Sequence, residues 1–195
     1  MDYALLVCVI FGAIAYLVGS IPTGAWFAKW WFGIDIRQHG SGNIGASNIA
    51  RVLGTIFFIP IFLFDACKAY LMLLIGSLFI QEMHKPLFMY TVAALLLIGN
   101  AHSIFLRLRG GKGVATVVGI MLYVMPAFVG IFACTWVLLF AVTRKPFMAS
   151  LGAMVFTTGI LGMHNRTHLP FLLCIIGWLV YAHRANLKAL VGYRP

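Results

Sequence analysis

Two short glycine-rich stretches carry the residue types that bind phosphate in proteins. In the first, three glycines, two serines and two asparagines fall within residues 40–48, and Arg51 follows. Glycine lets backbone N–H groups converge on an anion, and serine and asparagine side chains add further donors. A helix is expected to begin there with Ser47 or Asn48 as its N-cap, so that its positive end faces the same anion. The stretch predicts an anion site, and a flexible connector ending in a helix cap is the alternative.

The second glycine-rich stretch surrounds Lys112. It reads Arg-Leu-Arg-Gly-Gly-Lys-Gly-Val-Ala-Thr over residues 107–116 and is expected to open another helix. It is not a nucleotide-binding P-loop, because Leu106 stands where that motif needs glycine and Gly113 where it needs serine or threonine. A lysine in a tight glycine turn suits phosphate as a point charge. The alternative is a positively charged anchor at a membrane surface.

A third polar stretch, residues 181–188, closes the last apolar run of the chain. If the helix continues through it, His183 and Asn186 lie on one face at a spacing of three residues. Ser150 follows the basic pair Arg144 and Lys145 and indicates little by itself.

Acidic residues are too few to support most acid–base mechanisms. The chain has four of them, Asp2, Asp35, Asp65 and Glu82. No histidine is followed by an aspartate four or five residues later, so a local His–Asp acyltransfer dyad is absent. A carboxylate base would have to be Asp35 or Asp65, and neither has a serine or cysteine nucleophile beside it. His164 and His168 have the spacing of zinc hydrolases, but Asn165 replaces the required glutamate. We expect no metal and no cofactor.

Membrane helices must position these stretches. The chain of 195 residues is 63% hydrophobic and 9% charged, whereas soluble domains are about 25% charged. This composition excludes a water-soluble enzyme, and apolar runs without strand alternation indicate helices rather than a β-barrel. The runs are 4–28, 52–80, 87–106, 114–125, 127–142, 147–163 and 169–182. We predict an all-α integral membrane protein, a single polytopic domain over residues 1–195 with seven transmembrane helical segments.

The distribution of basic residues predicts the topology. Region 114–142 has two interpretations. It either crosses once with a kink at Pro126, or it consists of two short segments that cross twice or turn back as a re-entrant hairpin. With two segments, one face receives eleven basic residues and the other receives only Lys85 and Arg166. With one crossing the division is seven against six. Because positive residues collect on the cytoplasmic side, we predict two segments, an outside N-terminus and a cytoplasmic C-terminus. All three polar stretches then lie on the cytoplasmic face.

Two features inside the predicted spans call for polar partners. Asp65 and Lys68 are three residues apart, and each charge in the bilayer is costly, so we expect them to pair. Both a structural and a functional role stay open. The sequence Gly-Ser-Ile-Pro-Thr-Gly at 19–24 is expected to bend or unwind the first helix.

The motifs together resemble a known family. Gly19-Ser20-Ile21-Pro22-x-Gly24, the stretch 40–48, Gly110–Thr116 and His183-Arg184-x-Asn186 are similar, in order and over essentially the whole chain, to the bacterial acyl-phosphate:glycerol-3-phosphate acyltransferase family. Asp65, Lys68 and Ser150 also fall where the family has comparable residues. The chain departs from the family at Ser47, where threonine is common, and at Ala69, where glycine is usual.

The resemblance implies a reaction and its participants. A long-chain acyl group would move from acyl-phosphate to the 1-hydroxyl of sn-glycerol 3-phosphate, giving 1-acylglycerol 3-phosphate and phosphate, the first step of phospholipid synthesis. The partners would be these substrates, membrane lipids and the soluble synthase that supplies the donor, and nucleic acid is not expected. The location would be the bacterial cytoplasmic (inner) membrane, with the active site on the cytoplasmic face.

The resemblance also implies the site residues. The catalytic set is His183, Asn186, Lys112 and Arg51. The substrate- and phosphate-binding set is Ser41, Gly42, Asn43, Gly45, Ser47, Asn48, Gly110, Gly111, Gly113, Thr116 and Ser150. We expect Arg51 and Lys112 to bind phosphate oxygens and the glycine N–H groups to complete two cradles. The Lys112 loop is expected to serve glycerol 3-phosphate.

Mechanism and function each have an alternative. Acyl-phosphate is already activated, so its own phosphate could accept the proton of the attacking hydroxyl, with proximity and charge stabilisation left to the protein. His183 as general base is the competing mechanism. A small anion transporter is the rival function, but it commonly has internal repeats and a binding site near mid-membrane, and the chain shows no repeat. A scaffold for anionic lipid would explain the charge but not the Ser/Asn/Gly loops.

Overall fold

The computed structural model describes residues 3–164, 166–190 and 192, and every regular element in them is helical. Two compact units divide the chain, one up to Tyr123 and the other from Val124 onward. The single domain over residues 1–195 remains a prediction. Asp2, Asn165 and Arg194 lie outside the described residues.

The first unit contains six helices. They are α1 (Tyr3–Ser20), α2 (Thr23–Phe32), α3 (Ala46–Leu53), α4 (Phe58–Ser77), α5 (Lys85–Ala101) and α6 (Val114–Val124, its last residue beyond the boundary). The second unit contains α7 (Pro126–Thr143), α8 (Pro146–His164), α9 (Leu169–Ala182) and α10 (Arg184–Leu190).

Each of the seven predicted apolar runs corresponds to helix. Among the described residues, five helical stretches are long and apolar enough to cross a membrane: Tyr3–Phe32, Thr55–Ser77, Glu82–Leu106, Pro126–Thr143 and Pro146–Met163. A sixth crossing is possible if the pair formed by Arg166–Ala182 and Arg184–Leu190, bent by 61°, counts as one span. Helix α6 has 11 residues and therefore rises about 16 Å, short of the roughly 30 Å hydrocarbon core. Seven segments and the orientation of the termini stay predictions.

Proline interrupts the chain at two predicted places. The first span is broken at Ile21–Pro22, between α1 and α2, within the stretch expected to bend. The region 114–142 consists of two helices, because α6 ends at Val124 and α7 begins at Pro126. Proline has no N–H to continue the preceding helix but is well tolerated in the first turn of the next one.

Small residues let the helices of the first unit approach closely. A Cβ on Gly19 would lie 2.3 Å from the Leu96 carbonyl oxygen, and one on Gly99 would lie 2.2 Å from that of Tyr16. Helices α1 and α5 therefore cross with backbone against backbone. Helix α6 packs on α4 in the same way, since a Cβ on Gly119 would lie 2.0 Å from the Ala66 carbonyl oxygen. Close backbone approach through glycine is a common means of packing helices in membranes, where lipid is as apolar as the side chains.

Asp65 and Lys68 pair inside α4, as their spacing predicts. The Lys68 Nζ atom lies 2.6 Å from Oδ1 of Asp65, and both residues are buried. This ion pair connects α4 to the break between α1 and α2.

Candidate active site

The loop before α3 is organised around the side chain of Asn48. This residue is only 2% exposed. Its Oδ1 accepts the Ser41 N–H at 2.8 Å, and its Nδ2 donates to the carbonyls of Asn43 at 2.8 Å and His39 at 3.0 Å. Gly40 has a φ of 61°, and a Cβ there would lie 2.4 Å from Asn48 Oδ1. The Asn48 amide is therefore fully used in shaping the loop.

The start of α3 differs from the prediction. The helix begins at Ala46 with Gly45 as its N-cap residue, so neither Ser47 nor Asn48 caps it and that prediction is wrong. The physical reason is that the Asn48 side chain is drawn into the loop, while the Gly45 N–H donates to Oδ1 of Asn43 at 3.1 Å. An asparagine that accepts a hydrogen bond from two residues later forms a turn of its own. This turn brings the chain into the helix.

Several donors of the first loop remain available. In the described structure the hydroxyls of Ser41 and Ser47 and the Nδ2 of Asn43 make no hydrogen bond to another described residue. The N–H groups of Gly42 and Gly45, in contrast, already donate to the His39 carbonyl and to Asn43. Donors to an anion in this loop are thus side chains and the first-turn N–H groups of α3, with the glycines shaping the turn.

The Lys112 loop is fastened to the end of α5. The Gly110 N–H donates to the Ala101 carbonyl at 2.9 Å and the Gly111 N–H to the Asn100 carbonyl at 2.8 Å. A Cβ on Gly110 would lie 2.0 Å from the Asn100 carbonyl oxygen, so only glycine fits. These two N–H groups are used within the protein and do not contribute to the predicted glycine cradle. Helix α6 begins at Val114 directly after the loop, and a helix N-terminus favours an anion.

The two loops meet at Gly111. A Cβ on Gly111 would lie 3.1 Å from Oδ1 of Asn100, 3.5 Å from Cγ1 of Ile44 and 3.8 Å from Oδ1 of Asn43. Residues of the first loop and of the Lys112 loop, about 70 positions apart in sequence, are therefore in contact. The two glycine-rich stretches are thus neighbours within the first unit, and their binding of substrate stays a prediction.

Lys112 and Arg51 form a pair of like charges at this place. Lys112 is half-buried and Arg51 is exposed. Burial, and secondly the positive charge of Arg51, lowers the pKa of Lys112 to about 8. A lysine whose charge is disfavoured by burial and by another cation gains from a nearby anion, which restores the charged form. The electrostatics therefore favour a group with two negative charges.

Two buried polar groups near these loops lack hydrogen-bond partners. Thr116, in the first turn of α6, is fully buried and its Oγ1 makes no hydrogen bond to a described residue. The same holds for Oδ1 of Asn100, which is 6% exposed. Sequence reasoning included Thr116 but missed Asn100. The only signal was an asparagine at the end of an apolar run just before the Lys112 loop.

The second unit positions the remaining predicted residues. His183 ends α9, is 3% exposed, and stacks on Phe147 with ring centroids 6.4 Å apart. Its Nδ1 lies 2.9 Å from the Leu179 carbonyl oxygen. Because a carbonyl only accepts, Nδ1 carries a proton in this hydrogen bond.

The last two predicted residues differ in their surroundings. Ser150 is buried, and its hydroxyl accepts from Trp136 Nε1 at 3.0 Å and donates to the Pro146 carbonyl at 2.9 Å. Asn186 is half-buried in α10. The bend of 61° between α9 and α10 falls at His183, and the Leu187 N–H still donates to the His183 carbonyl at 3.0 Å. The common face of His183 and Asn186 stays a prediction.

Every carboxylate in the described residues has a cation beside it. Asp35 lies 2.6 Å from Arg37, whose hydrogen bond lowers the pKa of Asp35 to about 2. Asp65 pairs with Lys68, and Glu82 pairs with Lys85. A carboxylate whose pKa is lowered, as that of Asp35 is, is a weak proton acceptor at neutral pH. Within the same residues no three His, Cys, Asp or Glu side chains lie together as metal ligands.

Comparisons with known proteins point to one family. The sequence model of a family described as glycerol-3-phosphate acyltransferase matches residues 9–192. A relative from Desulforudis audaxviator with the same description is 36% identical, and the match covers 96% of this chain and 93% of the relative. One from a Synechococcus strain is 38% identical over 91% of this chain and 88% of the relative.

The fold is similar to that of a solved structure, the integral membrane glycerol 3-phosphate acyltransferase PlsY (YgiH) in its glycerol 3-phosphate form. The TM-score is 0.83 and the identity 29%, over 95% of this chain and 92% of the other. The similarity to the all-helical PlsY fold shows that this chain too is an integral, multi-pass membrane protein.

Proposed function

The chain belongs to the glycerol-3-phosphate acyltransferase family, and on that premise we propose that it transfers a fatty acyl group from acyl-phosphate to the 1-hydroxyl of sn-glycerol 3-phosphate. The products are 1-acyl-sn-glycerol 3-phosphate (lysophosphatidic acid) and inorganic phosphate. The donor comes from a soluble acyl-phosphate synthase, and the reaction is the first step of phospholipid synthesis. A solved relative is described as PlsY in its lysophosphatidic acid form, which supports this product.

The proposal rests mainly on one observation. Two glycine-rich loops of the kind that binds phosphate are in contact at Gly111, and two cations lie nearby. Lys112 belongs to one loop, Arg51 lies in α3 after the other loop, and the positive charge of Arg51 lowers the pKa of Lys112. Each loop leads into a helix N-terminus, where N–H groups and the helix dipole favour an anion. Two cations and two helix ends suit a phosphate monoester dianion.

The contacts of each residue suggest its role. We assign phosphate binding to five residues that have charged or donor side chains in the two loops and in α3. They are Lys112, Arg51, Ser41, Asn43 and Ser47. Gly42, Gly45, Gly110, Gly111 and Gly113 shape the loops, and Asn48 positions the first of them. Thr116 adds a buried hydroxyl in the first turn of α6. We assign His183 and Asn186 to the reacting glycerol or donor phosphate, and Ser150 to support of the second unit, because its hydroxyl is fully bonded.

The mechanism we propose needs no enzyme nucleophile. The 1-hydroxyl oxygen attacks the acyl carbonyl carbon, a new ester C–O bond forms, and the bond from that carbon to the phosphate oxygen breaks. The hydroxyl proton goes to the departing phosphate. The pairing of Asp35, Asp65 and Glu82 with cations supports proton transfer to the substrate rather than to a carboxylate. His183 as base is the alternative, and Nε2 would be the accepting nitrogen because Nδ1 donates to the Leu179 carbonyl.

We place the enzyme in the bacterial cytoplasmic membrane with its active site on the cytoplasmic side. The support is the basic-residue distribution, eleven on one predicted face against two on the other. A water-soluble donor synthase and glycerol 3-phosphate both reach that side.

The direct test uses purified protein in neutral phospholipid nanodiscs with a long-chain acyl-phosphate and glycerol 3-phosphate. We expect lysophosphatidic acid and inorganic phosphate in equal amounts, and no product when acyl-CoA replaces acyl-phosphate. Failure to form both products from acyl-phosphate would contradict the proposal. Uptake of labelled glycerol 3-phosphate into sealed vesicles, without acyl transfer, would favour a transporter instead.

A further inference from the structure

The break between α1 and α2 is held on both sides of Pro22 by the buried ion pair of α4. The Lys68 Nζ atom donates to the Ile21 carbonyl at 2.8 Å, on the α1 side. The Thr23 hydroxyl donates to Oδ1 of Asp65 at 2.8 Å, on the α2 side. Each charged group thus has two partners, the other member of the pair and one residue of the broken helix.

Burial of this pair is not explained by stability alone. Charges inside a membrane span are costly, and apolar residues of similar size often replace a buried ion pair without loss of stability. The chain has only 9% charged residues, and this pair lies where the broken helix presents a carbonyl and a hydroxyl. A donor and an acceptor are needed at that point, and Lys68 and Asp65 supply them.

The break also contacts the first glycine-rich loop. Gly24, at the start of α2, packs directly on that loop, because a Cβ there would lie 2.1 Å from the Ile44 carbonyl oxygen. Ile44 in turn lies beside Gly111. A shift of Thr23 and Gly24 would therefore move the chain segment that carries Asn43 and Gly45.

The second loop is connected to the same break. The Ser103 hydroxyl donates to the Ser20 carbonyl at 2.5 Å. The Ser103 carbonyl then accepts the Leu108 N–H at 2.8 Å, within the turn that leads to Gly110. Leu108 has a φ of 63°, so this turn is held in a backbone conformation that leucine rarely adopts. The last residue of α1 thereby anchors the approach to Lys112.

We propose that Asp65 and Lys68 are positioning residues for the phosphate site. They fix the geometry of the break across Pro22, and the break sets the placement of the Gly40–Asn48 loop through Gly24 and of the Lys112 loop through Ser20. Neither residue touches substrate. The inference rests on the proposed function, since it concerns the binding of glycerol 3-phosphate.

The decisive variant is Thr23→Val, which removes one hydroxyl and leaves both charges in place. We expect the KM for glycerol 3-phosphate to rise roughly five- to tenfold, the loss expected for one hydrogen bond, with kcat and the unfolding temperature nearly unchanged. Thr23→Ser keeps the hydroxyl and restores the wild-type KM. The matched control is Thr91→Val, because the Thr91 hydroxyl donates over the same 2.8 Å but within α5, to the Leu87 carbonyl.

A second pair of variants tests the other side of Pro22. Lys68→Met removes the donor to Ile21 and should raise the same KM, and Lys68→Arg, which keeps a charged donor, should recover part of it. If Lys68→Met does not fold, the threonine variants still decide the question.

An unchanged KM in Thr23→Val, or a lower unfolding temperature without a change in KM, would overturn the inference and leave the pair a purely structural one. Wild-type turnover is measured in the same assay. If the wild type turns over and Thr23→Val has an unchanged KM, only this inference is rejected. If the wild type does not turn over, the proposed function is rejected.

Discussion

Lys112, in the loop before α6, and Arg51, in α3, lie close enough for the charge of Arg51 to lower the pKa of Lys112. Burial of Lys112 is the larger cause, and together they bring this pKa to about 8. Two cations placed together repel each other, and an anion bound between them offsets this repulsion. The relationship leads to a definite pH dependence.

Binding of glycerol 3-phosphate should weaken as the pH rises through about 8. Lys112 must be protonated to bind phosphate, and its pKa in the free enzyme is about 8. The second pKa of a phosphate monoester is about 6, so the substrate does not change charge in this range. We expect kcat/KM for glycerol 3-phosphate to be close to its maximum at pH 7, about half of that at pH 8, and to fall by about tenfold per pH unit well above that.

The Lys112→Arg variant provides the control for this profile. Arginine stays charged throughout the range, so its residual kcat/KM should remain level up to pH 9. The same decline in Lys112→Arg as in wild type would show that another group titrates.

Removal of either cation should abolish turnover while the helices stay folded. We expect Lys112→Ala and Arg51→Ala each to lower kcat/KM by about 10²–10³-fold, as for the loss of one group that stabilises developing charge. Phosphate release measures activity, and circular dichroism with thermal unfolding checks the fold. Lys85→Ala is the matched control, because Lys85 pairs with Glu82, which is 86% exposed, and we expect it to be near wild type.

A methyl group at Gly110 should be far more damaging than one in an open helical position. The Cβ of Gly110→Ala would lie 2.0 Å from the Asn100 carbonyl oxygen, so the Lys112 loop would have to leave the end of α5. We expect kcat/KM to fall by at least about 10²-fold. Gly130→Ala in α7 meets no atom within 4 Å and should be active and slightly more stable, by about 0.5–1 kcal/mol. Full activity in Gly110→Ala would argue against the described loop geometry.

The pH profile of His183→Ala distinguishes the two mechanisms. If the donor phosphate accepts the proton, as we propose, the variant loses activity but keeps the shape of the wild-type profile. If His183 is the general base, activity falls by about 10²–10⁴-fold and an ionisation near pH 6.5 disappears. The second outcome would contradict substrate assistance.

The positions of the helices were predictable because long apolar runs indicate segments that lie in the lipid bilayer. The predicted run 169–182 coincides with α9, and the predicted break at Pro126 separates α6 from α7. In a bilayer every backbone group must be bonded within the segment, so a long apolar run can only be helix. The pairing of Asp65 with Lys68 followed from the same cost of isolated charge.

The use of individual polar groups was not predictable to the same extent. Asn48 and Ser150 were predicted to bind substrate, but the structure surrounds the first with carbonyls of its own loop and the second with Trp136 and Pro146. Composition shows which groups can bind phosphate. It does not show which of them the protein itself already uses, because that depends on neighbours brought in by folding.

The order of residues by itself determined that this chain is a bundle of membrane helices with phosphate-binding loops between them, since hydropathy and residue type act locally along the chain. Only the tertiary structure decided that Gly111 lies against Ile44, that Lys68 reaches the Ile21 carbonyl, and that Lys112 shares its surroundings with Arg51. Such contacts join residues tens of positions apart. They depend on how closely helices approach at glycine, a distance that no local pattern encodes.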